Sequence, residues 1–445
     1  MPKLPQQLLN SLSQLDHFNA EAFVEAHREE NKITSIRLNP FKKTDLDFKV
    51  NDKIGWSNDG YYINERPSFT HDPLFHAGCY YVQEPGSMFI ELALKQTLEL
   101  TKPLNVLDAC AAPGGKSTLI NSLISNESLL IANEFIKSRA DILVENLSKW
   151  GTCNTVVTNN DTERFSELTS FFDAVVIDAP CSGSGLFRKQ ADAVDHWSED
   201  NVIACSVRQK KILTDLAPSL KENGILVYST CSYSVEEDEQ IVEWLINEFG
   251  FEYVPLTLNK EWGIIETPLG YRFYPHLTKS EGFFCAVLRK KTHEQTTFVS
   301  KKRSSLEITK AELAILAPFL ELNDHHIIKK NERFHLLNTA ALNFLIAYEK
   351  QFYFKKAGAV IGEIKGKDMV PNHEFALITV LNKNLQVLEL DREQAIKFLK
   401  KESFEYSSTE KGLVLITYKN KGLGWAKVLP NRINNYFPNE LRILK

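Results

Sequence analysis

From about residue 100 onward, short apolar runs alternate with longer segments of helical periodicity. The apolar runs predict strands at residues 104–107, 129–134, 154–158, 174–177, 225–228 and 283–288. Helices are predicted between them at residues 116–125, 137–149, 200–220 and 235–249. Alternating β and α units of this length pack as a parallel sheet with helices on both faces. The sequence therefore predicts an α/β core.

Three of the predicted strands end at reactive or polar residues. Asp108 ends the first strand, Asp178 follows the fourth with Cys181 three residues later, and Cys231 follows the fifth. Asp108 leads into a Gly-rich loop formed by Cys110, Ala111, Ala112, Pro113, Gly114, Gly115 and Lys116. Ligands of an open α/β sheet bind outside the carboxyl ends of its strands, so these junctions are expected to share one crevice. Two thiols, an acid and a Gly-rich turn indicate covalent chemistry beside a nucleotide-like cofactor.

The composition is that of an ordinary globular protein. At 445 residues, with 43% hydrophobic and 24% charged residues, the chain is long enough for about three domains. It has no apolar stretch near the roughly 20 residues that span a bilayer, and no signal-peptide core. A cytoplasmic protein without membrane contact is expected.

The seven cysteines indicate neither a disulfide framework nor a metal site. Their number is odd, and no Cys-x-x-Cys pair or Cys/His cluster has zinc spacing. No metal is expected. Cys79, Cys153, Cys205 and Cys285 are interpreted as small buried hydrophobic residues.

Charge is distributed unevenly along the chain. Residues 1–288 hold 25 basic and 40 acidic residues, a net charge of −15, whereas residues 289–445 hold 27 and 17, a net charge of +10. A basic module beside an acidic body is typical of proteins with a polyanionic partner. A merely solvated basic surface explains the composition equally well.

The two flanking regions differ from the core in their patterns. Short helices at residues 8–16 and 20–30 and a strand at residues 34–40 predict an N-terminal subdomain over residues 1–95. The core follows at residues 96–292, and the basic segment 289–305 reads as a linker or an exposed domain edge. Helical patterns at residues 306–320 and 394–401 mix with predicted strands at residues 375–378, 386–390 and 412–417. This mixture predicts a small α+β module over residues 303–445.

Taken together, the junction motifs resemble those of the NOL1/NOP2/Sun family of S-adenosylmethionine-dependent RNA cytosine-5 methyltransferases. Residues 108–116 resemble the family's cofactor loop, residues 178–181 its first cysteine motif and residues 230–232 its second. The resemblance implies a Rossmann-like methyltransferase core with an N-terminal α/β subdomain. Residues 429–442 resemble the extension of the branch that acts on bacterial 16S ribosomal RNA (the RsmF type), which implies a C-terminal PUA-like module.

The resemblance assigns the cofactor S-adenosylmethionine to a defined set of residues. Glu134 would accept both ribose hydroxyls, and Asp161 the adenine amino group. The remaining contacts fall on Cys110, Ala111, Ala112, Pro113, Gly114, Gly115, Lys116 and Asp178. The loop is not Gly-x-Gly-x-x-Gly, so a dinucleotide is a poor fit.

Cytosine chemistry explains why two cysteines are useful together. Carbon 5 is a weak nucleophile until a thiolate adds at carbon 6, and a base must then remove the carbon 5 proton before the thiol can leave. In the RNA family the nucleophile corresponds to Cys231, and Cys181 assists product release. In DNA cytosine methyltransferases the Pro-Cys position, here Cys181, is the nucleophile. Asp178 would hydrogen-bond the base.

RNA is the expected partner. The family's N-terminal subdomain contacts RNA, which suggests Arg37, although Arg37 fits an ordinary surface charge equally well. Arg188 and Lys189 are assigned to phosphate contact, with an ordinary charged loop as the alternative. The target base must be unstacked or already single-stranded to enter the crevice.

Several functions remain open from the sequence. The leading hypothesis is a monomeric enzyme that methylates ribosomal RNA. The same chemistry on tRNA, a non-catalytic RNA-binding or ribosome-assembly factor, and DNA methylation are the alternatives. The basic charge of the C-terminal module further suggests that removing residues 300–445 weakens RNA binding far more than cofactor binding.

Overall fold

The computed structural model describes residues 4–15, 17–28, 33–190, 192–292, 306–322, 324–406, 411–430 and 432–444. Most of the predicted linker at 289–305 therefore lies outside the described residues.

The N-terminal subdomain is built on a small antiparallel sheet. The strands pair in the order β2-β1-β3. The elements are α1 (Gln6–Leu12), α2 (Ala20–Arg28), β1 (Thr34–Leu38), β2 (Gly60–Ile63), α3 (Pro73–His76), β3 (Tyr80–Val82) and α4 (Ile90–Thr97).

The core begins with two strand–helix units followed by two further strands. They are β4 (Asn105–Asp108), α5 (Gly115–Leu123), β5 (Leu129–Asn133), α6 (Lys137–Trp150), β6 (Thr155–Thr158) and β7 (Phe172–Asp178). The rest of the core comprises α7 (Asp192–His196), α8 (Glu199–Leu216), β8 (Leu220–Thr230), α9 (Glu239–Phe249), β9 (Phe251–Tyr253), β10 (Ile265–Thr267), β11 (Gly270–Phe273) and β12 (Phe283–Lys290).

The central sheet has the topology of a Rossmann-like fold. Strands β4 to β8 pair in parallel in the order β8-β7-β4-β5-β6, and β12, β11 and β10 extend it antiparallel from β8. The chain moves outward from β4 to β5 and β6, then returns to β7 on the other side of β4. The order therefore reverses between β4 and β7, and such a switch point is where ligands of these sheets bind.

Both faces of this sheet are buried, which explains the continuous apolar runs in the sequence. Alternate residues point to opposite faces, so Leu107 and Val175 belong to one apolar cluster while Val106 and Val176 belong to the other. All four are at most 1% exposed. Burial on both sides is the property of a parallel sheet covered by helices.

The C-terminal region contains two further four-stranded sheets, in the orders β13-β14-β16-β17 and β18-β19-β20-β21. Its first elements are α10 (Lys310–Leu316), β13 (His325–Lys330), β14 (Arg333–Asn338), α11 (Thr339–Tyr348), β15 (Phe354–Ala357), β16 (Ala359–Lys365) and β17 (Asp368–Pro371). Then come β18 (Val387–Glu389), α12 (Arg392–Lys400), β19 (Gly412–Tyr418), β20 (Lys421–Leu429) and β21 (Arg432–Asn435).

In the described part of the chain, eight short 3-10 helices join these elements, and one of them replaces a predicted strand. The strand expected at residues 375–378 is wrong, because Asn372 caps the backbone N–H of Glu374 and starts a helical turn that buries Phe375. The eight are Phe69–His71, Gly86–Phe89, Thr162–Glu167, Ser184–Leu186, Ala217–Ser219, Lys260–Trp262, Ala317–Phe319 and His373–Ala376.

The C-terminal region completes the central sheet. Strand β15 pairs antiparallel with β6 and covers an edge that would otherwise expose unpaired backbone groups. Helix α11 packs Phe344 into the same apolar cluster as the core, where the Phe352 ring lies 5.0 Å from that of Phe165. A cut near residue 300 would remove both elements, so the proposed truncation cannot separate RNA binding from the folding of the core.

Among the helices that the structure describes, none is long and apolar enough to cross a membrane.

Phe344→Ala tests the dependence of the core on α11. Its ring is 2% exposed and lies 5.7 Å from the Phe171 ring. We expect the substitution to lower the free energy of unfolding by about 3–5 kcal/mol, because it leaves a cavity shared by the two regions. Urea denaturation of the full chain measures this. The control Ile203→Ala removes a side chain that is 57% exposed, and an equal loss in both variants would contradict the interpretation.

Candidate active site

The carboxyl ends of four parallel strands meet at the switch point. In the pairing registers, Asp108 of β4 aligns with Val176 of β7 and Ala132 of β5, while Asp178 of β7 aligns with Ser229 of β8. Glu134 follows β5 directly, and Cys231 follows β8. The junctions that the sequence singled out therefore lie along one edge of the sheet.

Cys181 and Cys231 are brought into contact. Their Sγ atoms lie 3.1 Å apart, and both residues are free and partly exposed. The two loops are held together by backbone hydrogen bonds, because Ala179 N donates to Ser229 O at 2.8 Å and Gly185 N donates to Cys231 O at 2.8 Å. A Cβ at Gly185 would lie 2.7 Å from that same carbonyl, so only glycine permits the approach.

The Cys181 thiol is hard to ionise. The hydrogen bond to Cys231, together with burial, raises the pKa of Cys181 well above its ordinary value. Cys181 is therefore held as a thiol, which is a weak nucleophile.

A lysine–aspartate pair stands beside the thiols. Lys116 Nζ lies 2.7 Å from Asp178 Oδ2, and Ser229 Oγ donates to Asp178 Oδ1 at 3.1 Å. Burial lowers the pKa of Lys116, but the Asp178 carboxylate outweighs burial and Cys231 adds to its effect, so the net shift is upward. Lys116 thus stays a cation close to Cys231 and Asp178.

The Gly-rich loop turns sharply into α5. Gly114 has φ of +116°, a conformation that favours glycine, and it forms the N-cap of α5. The loop is fixed to α6, because Asn146 Nδ2 donates to Pro113 O at 2.8 Å. The N-terminus of α5 carries the positive end of the helix dipole, which suits a carboxylate.

Asp108 supplies a buried acceptor below this loop. Its side chain is fully buried, and Ser117 Oγ donates to Oδ2 at 2.6 Å. Its Oδ1 has no hydrogen-bond partner among the residues that the structure describes. Burial raises the pKa of Asp108 to about 7. A ligand that brings a donor or a positive charge would satisfy this oxygen, as the amino acid moiety of S-adenosylmethionine can.

Glu134 and Asp161 occupy the neighbouring strand ends. Glu134 is 4% exposed, and its Oε1 accepts from Ile136 N at 2.8 Å while Oε2 lies 3.6 Å from Arg139 Nη1. Asp161 is exposed, and its Oδ1 accepts from Glu163 N at 3.2 Å, so it caps a 3-10 helix. Each carboxylate keeps acceptor capacity for a ligand. Their roles toward ribose and adenine stay predictions.

Asn133 organises these strand ends, and sequence reasoning missed it. It is 1% exposed, and its Oδ1 accepts from Thr158 Oγ1 and Asn160 N at 2.9 and 3.1 Å. Its Nδ2 donates to Asn160 O at 3.1 Å. An amide at the end of an otherwise apolar strand was the available signal. Glu237, which contacts both cysteine loops, was also missed.

The prediction that Arg37 contacts RNA is wrong for this structure. Its side chain lies inside the molecule, 2% exposed, where it donates to Gln83 Oε1 at 2.9 Å and Thr118 Oγ1 at 2.6 Å. Its guanidinium also lies 4.6 Å from the centre of the Trp150 ring. Arg37 therefore joins the N-terminal sheet to the helix that follows the cofactor loop.

Arg188 does not fit phosphate contact either. Its side chain is 8% exposed, and Nη1 lies 3.7 Å from Glu281 Oε2 and donates weakly to Ser280 O at 3.5 Å. The ion pair orients the guanidinium toward the protein. Lys189 is exposed, and its assignment to phosphate stays a prediction.

Three family profiles match the chain in the order of its regions. They are the N-terminal domain of 16S rRNA methyltransferase RsmF at residues 4–85, 16S rRNA methyltransferase RsmB/F at residues 95–289, and the methyltransferase RsmF PUA domain at residues 385–443.

Curated relatives match over nearly the full length. A ribosomal RNA small subunit methyltransferase F of Shewanella oneidensis is 31% identical and covers 99% of this chain and 98% of its own. The protein of the same name from Vibrio atlanticus is 30% identical, covering 98% and 97%. Among solved structures, a methyltransferase homolog protein from Pyrococcus horikoshii matches with 27% identity and a TM-score of 0.53, covering 64% of this chain and all of that one.

The unusual protonation of Asp108 gives a prediction for stability. Its pKa is 3.8 ordinarily and about 7 in the fold, so the folded protein binds this proton more tightly than the unfolded chain. Raising the pH from about 4 to 7 therefore removes stability, and Asp108→Asn avoids that loss. Without ligand, we expect the stability of Asp108→Asn relative to wild type to rise by on the order of 2–4 kcal/mol across this range.

Urea denaturation at a series of pH values measures the difference. The exposed Asp195→Asn serves as the control for removal of a carboxylate, and its difference from wild type should stay nearly constant. If the difference in free energy of unfolding between Asp108→Asn and wild type did not change with pH, the raised pKa of Asp108 would be contradicted.

Proposed function

Because the chain belongs to the RsmB/F family of 16S rRNA methyltransferases, we propose that it methylates carbon 5 of a cytosine in 16S ribosomal RNA. One observation supports this most directly: two free thiols 3.1 Å apart lie next to the Lys116–Asp178 pair at the switch point of the sheet. Cytosine-5 methylation needs both a nucleophile and a group that assists its release, and this pair offers both.

The cofactor is S-adenosylmethionine, which supplies an electrophilic methyl group when bound. The N-terminus of α5 and the free oxygen of Asp108 would hold its amino acid moiety, and Glu134 its ribose. Asn133 keeps these strand ends together. The residues present therefore fit this group.

Cys231 begins the reaction on the base. Its thiolate forms a bond between Sγ and carbon 6 of the cytosine. The electron pair of the C5–C6 double bond shifts onto carbon 5, where it is conjugated with the rest of the ring. Asp178 faces the same crevice and would hydrogen-bond the base, and the Lys116 ammonium balances the negative charge that collects there. Carbon 5 then carries enough electron density to act as a nucleophile.

Cys181 acts at the end of the reaction. A base in the crevice must take the proton on carbon 5 of the methylated ring. The electron pair of that C–H bond re-forms the C5–C6 double bond, and the electron pair of the bond to carbon 6 leaves with Cys231 Sγ. Cys181 is the side chain that contacts the Cys231 sulfur, so it is placed to transfer a proton as that sulfur leaves.

The alternatives weigh less. A non-catalytic assembly factor would not need both thiols, the cation and the acid in one crevice. tRNA and DNA as substrates find no support in the names of the relatives, which are small subunit rRNA methyltransferases.

Cys231→Ala tests both the chemistry and the substrate. In a deletion strain, bisulfite sequencing of 16S rRNA and tRNA should reveal one unprotected cytosine in 16S rRNA that the wild-type chain restores. Cys231→Ala should reduce methylation by more than about 10³-fold, because the variant lacks the thiolate proposed to form the adduct at carbon 6. Its affinity for S-adenosylmethionine should stay close to wild type. Cys205→Ala, on α8, is the matched control, and substantial methylation by Cys231→Ala would exclude the mechanism.

Cys181→Ala should give the opposite signature. Without assisted release, the covalent bond between Cys231 and the RNA should persist, and a protein–RNA band should survive denaturing electrophoresis. The band should vanish in Cys181→Ala/Cys231→Ala. A band that forms through Cys181 in the Cys231→Ala variant would instead reverse the two roles.

A further inference from the structure

A buried carboxyl group lies under the two cysteine loops without taking part in the proposed chemistry. Glu237 is fully buried in the turn between β8 and α9. It lies six residues beyond Cys231 in the sequence and 56 residues beyond Cys181. It is thus local to one cysteine and distant from the other.

Each cysteine is followed by a serine that donates to this carboxyl group. Ser182 Oγ donates to Oε2 at 2.5 Å and Ser182 N to Oε1 at 2.8 Å. Ser232 Oγ donates to Oε2 at 2.6 Å. Gln209 of α8 adds a fourth bond, from Nε2 to Oε1 at 3.3 Å. One side chain therefore ties both loops to a single point.

The turn that carries Glu237 is held in place by hydrogen bonds and an ion pair. Tyr228 OH donates to the Glu237 carbonyl at 2.6 Å. Next to it, Asp238 accepts from Thr230 Oγ1 at 2.6 Å and lies 3.4 Å from Arg272 Nη2. The turn that carries Glu237 is thus fixed to β8 and β11, and it cannot follow a moving loop.

Burying this carboxyl group is costly, which argues for a specific use. Burial raises the pKa of Glu237, while hydrogen bonds from Ser182, Ser232 and Gln209 lower it. These hydrogen bonds offset part of the cost of burial. Two of the three donor residues, Ser182 and Ser232, directly follow a cysteine. An apolar residue could fill the space at less cost, but it could not fix two hydroxyl groups.

We propose that Glu237 is a positioning residue that holds Cys181 and Cys231 at reacting distance through the serine that follows each cysteine. It touches neither substrate nor cofactor. Its importance for catalysis rests on the proposed function, whereas its effect on the distance between the sulfurs does not.

The distance can be measured chemically without RNA. The azo reagent diamide takes up the two thiol hydrogens as Cys181 and Cys231 form one S–S bond, and the rate reports how closely the sulfurs are held. Mass spectrometry of the digested protein identifies the linked peptides. We expect Glu237→Ala to form this bond at least about tenfold more slowly than wild type, because its loops lose a shared anchor.

Glu237→Gln separates anchoring from charge. Its amide keeps one acceptor oxygen for Ser182 N and Gln209, and the hydroxyl groups of Ser182 and Ser232 can turn to accept from the new NH₂. We expect cross-linking of Glu237→Gln within about threefold of wild type, since the hydrogen-bond geometry survives. Glu236→Gln, a half-buried neighbour in the same turn, is the control for loss of charge and should match wild type.

Methylation kinetics provide the second measurement. In Glu237→Ala we expect kcat to fall by about 100-fold, the cost of a misplacement near 1 Å, with KM for rRNA nearly unchanged. Glu237→Gln should recover most of kcat. If wild type methylates no rRNA, the proposed function fails while the cross-linking series still tests the positioning role.

Two results would overturn the proposal. One is cross-linking in Glu237→Ala at the wild-type rate, and the other is a Glu237→Gln variant as slow as Glu237→Ala. If Glu237→Ala does not fold, Ser182→Ala/Ser232→Ala removes both hydroxyl donors and leaves the carboxyl group in place. That variant must then cross-link more slowly than wild type, and an unchanged rate refutes the role.

Discussion

The parallel pairing of β7 with β8 is the constraint on which the site depends. It sets Asp178 opposite Ser229, so that each strand releases its cysteine loop at the same edge of the sheet. Side chains alternate between faces, and a slip of one residue would send Asp178 to the opposite face. The contact between the sulfurs, the Lys116–Asp178 pair and the shared carboxyl group beneath them all follow from this register.

The core was predictable because its signals are local. Strands buried on both faces leave continuous apolar runs, and reactive residues stand just after them, as Asp108, Asp178 and Cys231 do. The resemblance to a known family then supplied roles that the pattern alone left open between the two cysteines.

What the sequence could not predict depends on partners far away in the chain. Nothing around Arg37 signals that its guanidinium is enclosed by Gln83, Thr118 and Trp150, and burial lowers its pKa only to about 10, so it remains charged. Arg188 has the sequence context of a phosphate ligand, and only the structure shows that it pairs with Glu281 instead. The pairing of β15 with β6 joins segments nearly 200 residues apart, and no local pattern records it.

The pairing of β15 with β6 affects how the chain folds while it is being synthesised. The ribosome synthesises β6 long before residues 354–357 of β15. The edge of β6 therefore stays unpaired while nearly two hundred further residues are made. An open strand edge beside an incomplete apolar cluster is prone to pair with other chains. The central sheet is therefore completed by a strand of the C-terminal region, and the core stays unfinished until residues 354–357 have left the ribosome.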